Sequence, residues 1–202
     1  MAGASRVAEA VVGLGLVRLG EFTLSSGRRS RLYIDLRELP MHPTAFREAA
    51  EALASLVERA VGDTGSDTLA GVATGGILWA AAVGLLLGMP VTYVRPEPKS
   101  HGRGRLVEAD VEGRRIVVVD DVATTGGSLA RAVQALRAAG GDPRAAVVVV
   151  DRLQGAGERL AGEGVRLYSL LTACDLLRVM EPGRPGDPLL ASALEELGCH
   201  RG

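Results

Sequence analysis

Short apolar runs without polar alternation recur along most of this chain, separated by Ala-rich stretches of helical length. The runs are 68–73 (TLAGVA), 91–94 (VTYV), 115–120 (RIVVVD), 145–151 (AAVVVVD) and 165–171 (VRLYSLL). Strands that lack alternation are covered on both faces, and their interleaving with helices argues a parallel sheet. Helices are predicted at 75–87, 127–139 and 155–162, with a last pair near 173–179 and 188–197. Ahead of this pattern, Val7, Ala10, Val11, Leu14 and Val17 suit an amphipathic helix over 4–19 despite Gly13 and Gly15. Strands are predicted at 21–24 and 32–36 around the turn-rich SSGRRS, then a helix from Pro43 to about 60. The expected architecture is a single α/β domain over 1–202, with a central, mostly parallel sheet flanked by helices and a small cap over about 1–40. Only 95–113 lacks a periodic signal inside the core, and a loop of that length is usually a lid or a disordered segment.

Composition narrows the function classes. The 202 residues are 47% hydrophobic, enough for a sizeable core and unlike a disordered or collagenous chain. Twenty-three basic against 24 acidic residues leave no global field for a polyanion, so neither nucleic acid nor an anionic membrane is an expected partner. No apolar run reaches spanning length, and Arg6, Glu9 and Arg18 interrupt the first twenty residues, so no targeting segment is expected. Cys174 and Cys199 are too few for a disulfide framework and lack metal-ligand spacing; a reducing, cytoplasmic setting is expected. Every basic residue except Lys99 is arginine, a bias that codon usage explains but that singles out the one mobile ammonium.

Candidate chemistry concentrates at strand ends, where α/β sheets bind ligands. In RIVVVDDVATTGGSLARAV (115–133) an apolar run ends in Asp120 and Asp121, and Val122 and Ala123 lead into Thr124, Thr125, Gly126, Gly127 and Ser128 at a helix start. Hydroxyls and unhindered amides at a helix N-terminus suit a phosphate. Adjacent carboxylates repel that phosphate and instead suit ribose hydroxyls or a metal ion. The plainer alternative is a strand–turn–helix with solvated acids. Neither GxxxxGKS nor GxGxxG is present.

GVATGGI (71–77) places Thr74, Gly75 and Gly76 where backbone can wrap a second anion, although a close-packing turn needs the same residues. Arg95, Lys99, His101, Arg103 and Arg105 crowd the long loop beside Gly102 and Gly104, as a lid over a polyphosphate leaving group requires; a solvated basic loop is the alternative. Arg152, after Asp151, can grip a planar carboxylate unless it merely pairs with that acid. His42, His200, Glu195, Glu196 and Cys199 read as surface residues.

IVVVDDVATTGGS resembles the phosphoribosyl-pyrophosphate signature of the type I phosphoribosyltransferases. FTLSSGRRSRLYIDLR (22–37), GVATGGI, YVRPEPKSHGRGRLVE (93–108) and VVVVDRLQGA (147–156) follow in the order seen in the orotate phosphoribosyltransferases, a likeness covering about 15–178. The resemblance implies the type I fold with a hood over its core, and transfer of ribose 5-phosphate from phosphoribosyl pyrophosphate (PRPP) to N1 of orotate in pyrimidine synthesis. It implies Mg²⁺ held mainly by PRPP and water, with no direct protein ligand, and a homodimer sharing its catalytic loop. By the same resemblance Lys99, His101, Asp120 and Asp121 are catalytic. Arg95, Thr74, Gly75 and residues Val122 to Ser128 join them in binding PRPP, while Thr124, Arg152 and Tyr33 bind orotate, with Arg28 assisting. Many members carry lysine where Pro96 stands, and some where Ser25 and Gly75 stand. A purine phosphoribosyltransferase and a non-catalytic, nucleotide-sensing RNA-binding regulator share the fold and are the alternatives.

Overall fold

The computed structural model describes residues 2–23, 29–97, 105–181 and 185–199. The chain forms two compact units, one of Met1–Ala49 with Leu171–Gly202 and one of Ala50–Leu170. The first therefore gathers the expected cap together with the chain's C-terminal part.

In that first unit α1 (Ala2–Gly13) ends sooner than the apolar spacing predicts, because Gly15 turns the chain at φ +73° and sends Leu16 and Val17 inward as extended backbone. β1 (Val17–Thr23) then pairs antiparallel with β2 (Arg29–Ile34), Val17 opposite Ile34 and Leu19 opposite Leu32. A 3₁₀ helix, Leu36–Met41, follows, capped by the Asp35 carboxylate, which accepts from Arg37 N. The strand predicted at 32–36 is thus shifted toward the N-terminus. α6 (Ala173–Met180) packs on α1 and opens with a reciprocal cap, Thr172 Oγ accepting from Asp175 N while Asp175 accepts from Thr172 N. α7 (Pro188–Glu196) lies against β2.

Glu196 is exposed at the end of α7, as read, and its carboxylate also accepts from Ser30 Oγ and from Arg31 N, each at 3.0 Å, tying α7 to β2. One surface reading is corrected. Cys174 and Cys199 are not unpaired thiols but form a disulfide, with Cα atoms 5.5 Å apart. Spacing along the chain hides this, since the bridge joins the start of α6 to the third residue beyond α7. Closing a loop of that length is worth about 3 kcal/mol by chain entropy. Replacing both cysteines by serine is expected to lower the melting temperature while leaving turnover unchanged. Thermal unfolding with and without a thiol reductant, beside an activity assay, checks this.

The second unit is built on five strands in the order β4–β3–β5–β6–β7. These are β3 (Thr68–Val72), β4 (Val91–Val94), β5 (Arg115–Ala123), β6 (Asp142–Asp151) and β7 (Arg166–Thr172). Pairs β3·β4, β3·β5 and β5·β6 are parallel, as the continuous apolar runs imply. β3 is buried along its whole length, and Val147 to Val150 of β6 are fully buried. α2 (Pro43–Thr64), α3 (Gly75–Leu87), α4 (Gly127–Ala138) and α5 (Ala156–Gly162) complete the alternation. Leu129, Val133 and Leu136 of α4 pack with Val118 and Val148 of the sheet in one core. The stretch 105–113 is more ordered than its lack of period indicates. Arg95 N donates to Leu106 O and Glu108 N to Tyr93 O, so the chain returns along β4 and buries Val107 and Val111.

Candidate active site

β5 runs three residues beyond its predicted end, because β6 continues beside it: Val122 pairs with Val150 and Ala123 with Asp151. Asp120 and Asp121 therefore lie within the strand, and Val122 and Ala123 support the loop from inside the sheet. Arg152 N donates to Ala123 O at 2.9 Å, so Thr124 and Arg152, both expected at the base, leave neighbouring strand ends side by side. Arg152 is itself buried.

The two acids sit in different surroundings. Asp120 is 7% exposed; its Oδ1 accepts from Asp121 N at 2.9 Å, and Gly76 N donates to the same carboxylate. Burial, and then the Asp121 charge, push its pKa well above the usual carboxylate value. Asp121 is half-buried, with Oδ1 accepting from Val122 N at 2.7 Å. The first turn of α3 presses on this pair. A Cβ at Gly75 would collide with the Asp121 carboxylate, and one at Gly76 with Val119 O. Glycine is thus required by the acids as much as by any anion. Thr74, the N-cap of α3, makes no side-chain capping bond.

At the other turn Gly126, at φ +72°, swings the chain into α4, whose first turn has neither a side-chain cap nor an acid. The amides following Thr124 and Thr125 keep the polarity an anion needs. Arg131 Nη2 donates to Ser128 Oγ at 3.2 Å and Arg159 Nη1 to Thr125 O at 3.4 Å. A cavity of about 350 Å³ opens beside this turn, lined by Ala73, Arg95, Pro96, Ser128 and Arg131 among others. Arg95 pairs with Glu108 through Nε and reaches Tyr93 Oη at 3.4 Å, so its pKa is raised chiefly by the Glu108 hydrogen bond. After β6, Asp151 Oδ1 accepts from Leu153 N at 2.9 Å, and burial raises the Asp151 pKa.

Tyr33 belongs to the first unit, where its hydroxyl donates to Asp35 Oδ2 at 3.2 Å and accepts from Arg37 Nη2 at 3.1 Å, with the Phe22 ring 5.2 Å away. Lys99, His101, Arg103, Arg28 and His200 lie outside the described residues.

Comparison with known proteins completes the picture. Residues 36–164 match the phosphoribosyl transferase domain family. An orotate phosphoribosyltransferase of Pyrobaculum aerophilum is 43% identical over 196 residues, 95% of this chain and 97% of the relative. The chain belongs to the orotate phosphoribosyltransferase family. The crystal structure of an orotate phosphoribosyltransferase from Aeropyrum pernix superposes with a TM-score of 0.75 at 41% identity, covering 96% of this chain and 99% of that one. That of the Mycobacterium tuberculosis orotate phosphoribosyltransferase in complex with PRPP gives 0.68 at 33%, covering 86% and 98%.

The structure brings several of the expected residues of the second unit together: Thr74 and Gly75 follow β3, with Gly75 lying against Asp121, while Asp120 and Asp121 lie toward the end of β5 and the Thr124–Ser128 turn follows that strand. The sequence reading missed Glu108 as the partner of Arg95, and Arg131 and Arg159 at the loop. Only the spacing of Ser128 and Arg131, three apart on one helix, hinted at any of these.

Proposed function

We propose that the chain transfers ribose 5-phosphate from PRPP to N1 of orotate, giving orotidine 5′-monophosphate and pyrophosphate, the phosphoribosyl step of pyrimidine synthesis. One observation carries this reading. The uncapped α4 turn, the Asp120–Asp121 pair and the Thr124–Arg152 strand ends adjoin one another, supplying a phosphate site, a ribose site and a carboxylate-binding base site in sequence. The C1′–oxygen bond to pyrophosphate breaks with its electron pair leaving on that oxygen, the N1–C1′ bond forms through a transition state of oxocarbenium character, and the N1 proton of orotate passes to solvent or to the departing pyrophosphate.

This chain's residues hold and screen rather than react covalently. The turn from Thr124 to Ser128 takes the 5′-phosphate, Asp120 and Asp121 accept from the ribose hydroxyls near the developing positive charge, and Arg152 with Thr124 orients orotate. Arg95, Lys99 and His101 supply positive charge for the departing pyrophosphate, Arg95 by exchanging its Glu108 partner for a phosphate oxygen. Mg²⁺ would be carried in by the substrate, because the diphosphate and ribose oxygens of PRPP are hard ligands of their own and few or no protein ligands are needed. When bound, the ion neutralises pyrophosphate oxygens.

A homodimer is part of the proposal. α3 lacks any charged residue, and while Trp79, Ala80 and Val83 are buried, Leu78, Leu85 and Leu86 are exposed beside Val91 at the start of β4. Such an apolar face suits self-association. A cytoplasmic location rests on the phosphorylated substrates, not on the cysteines, which are paired. No described helix is long and apolar enough to cross a membrane.

The test is orotate consumption followed by absorbance, with adenine, hypoxanthine and uracil in parallel. Loss of orotate that requires both PRPP and Mg²⁺ is the expected result. Turnover of another base instead overturns the base-site assignment, and silence with all four acceptors overturns the activity.

A further inference from the structure

Two guanidinium groups converge on a single point at the start of α4. The place where a Cβ on Gly127 would stand is 3.4 Å from Arg159 Nη1, 3.6 Å from Arg131 Nη1 and 3.8 Å from Thr125 Oγ1. Three hydrogen-bond donors thus surround an unfilled position above a glycine. The arginines come from different elements, Arg131 from the second turn of α4 and Arg159 from α5. Each is tied to the loop itself, Arg131 through Ser128 Oγ and Arg159 through Thr125 O. Neither has a carboxylate within salt-bridge distance among the described residues, and the acid next in the chain, Glu158, instead lies toward Gly155 and raises the pKa of Asp151. A Cβ at Gly127 would stand in ordinary contact with these groups and take up part of the space between the cations. Two like charges directed at one point, beside a helix N-terminus without an acid, are stabilised when an anion lies between them.

We propose that Arg131 and Arg159 form a cationic clamp on the 5′-phosphate of PRPP, closing over the amide and hydroxyl cradle of Thr124 to Ser128 from its two sides. This rests on the activity proposed above and adds two substrate-binding residues to it. The clamp recognises a phosphomonoester dianion, so it acts on PRPP and on orotidine 5′-monophosphate, which share that group, and not on pyrophosphate or orotate. Holding both sides of the reaction by the same group binds ground and transition states alike, and its loss appears in KM rather than kcat.

The experiment compares the wild type with Arg131→Gln, Arg159→Gln and the double variant. It measures steady-state constants for PRPP and orotate, and binding of ribose 5-phosphate and of pyrophosphate by calorimetry. Each single change is expected to raise KM for PRPP about tenfold and the pair more, with kcat and KM for orotate within about twofold. Ribose 5-phosphate affinity should fall by a matching factor while pyrophosphate affinity stays unchanged, a split that mere structural damage would not produce. Lysine at either position keeps the charge but loses the fork, so an intermediate affinity is expected even if a glutamine variant folds poorly. Unchanged ribose 5-phosphate affinity in the double variant, or equal weakening of both ligands, overturns the clamp while a wild type that consumes orotate preserves the activity. A wild type that consumes no orotate and binds neither PRPP nor ribose 5-phosphate overturns both.

Discussion

Replacing Lys99 by alanine is expected to lower kcat for orotate phosphoribosylation about a hundredfold or more, the cost of losing a preorganised charge at a developing anion. KM for orotate should change little, because the ammonium acts on the leaving group and not on the base. The chain's composition makes the expectation strong: arginine has replaced lysine everywhere else, and Lys99 sits among Arg95, His101 and Arg103 in the glycine-bearing loop. The fold sharpens the case, since Arg95 has its guanidinium engaged by Glu108 and only part of its charge is free for pyrophosphate. Arginine at position 99 should restore activity only in part, because a bulkier planar fork cannot follow the departing group as a compact, flexible ammonium does. Steady-state kinetics of both variants decide it; a kcat for the alanine variant within about threefold of wild type would remove Lys99 from the mechanism.

What sequence made legible here is whatever depends on near neighbours. Runs such as Val147 to Val150 admit only a strand covered on both faces, and TTGGS after paired acids admits few uses besides an anion site. Element ends are less legible because partners elsewhere set them. β5 continues to Ala123 only because β6 lies beside it, and β1 begins at Val17 because Gly15 stops α1. Contacts between distant positions left almost no local trace: Ser30 with Glu196, Cys174 with Cys199, and Thr125 with Arg159 are each brought together by the chain's return. The reading of Cys199 as an unpaired surface residue failed for that reason, since a lone cysteine looks the same along the chain whether or not a partner awaits it. The Gly75–Asp121 approach belongs to the same class. A glycine after an apolar strand signals close approach, but only the fold says that a carboxylate makes it.

Asp120→Asn is expected to raise thermal stability and to depress activity in the same protein. The carboxyl of Asp120 is buried beside the charge of Asp121, and the amides of Asp121 and Gly76 compensate only partly, so its pKa in the folded chain lies well above the unfolded value. A carboxyl shifted this way holds its proton in the native state after the unfolded chain has released it. Stability therefore falls as pH rises from the unfolded value through the folded one. Asparagine can keep an oxygen toward both amides and presents an uncharged NH₂ group near Asp121, removing the penalty. The melting temperature of the variant should exceed that of the wild type near neutral pH, by about 2–4 °C for each kcal/mol relieved in a chain of this size. The gap should narrow as the pH falls toward the unfolded value and close below about 3, where both states of the wild type are protonated. Meanwhile the loss of an acceptor for the ribose hydroxyls, and of negative charge near the oxocarbenium-like sugar, should reduce kcat/KM for PRPP by about tenfold to a hundredfold. Unfolding curves recorded across that pH range, beside PRPP kinetics, test both halves. A variant less stable than wild type at every pH would show that the buried charge is paired rather than penalised. A variant more stable and fully active would remove Asp120 from the ribose site and leave Asp121 to hold the sugar alone.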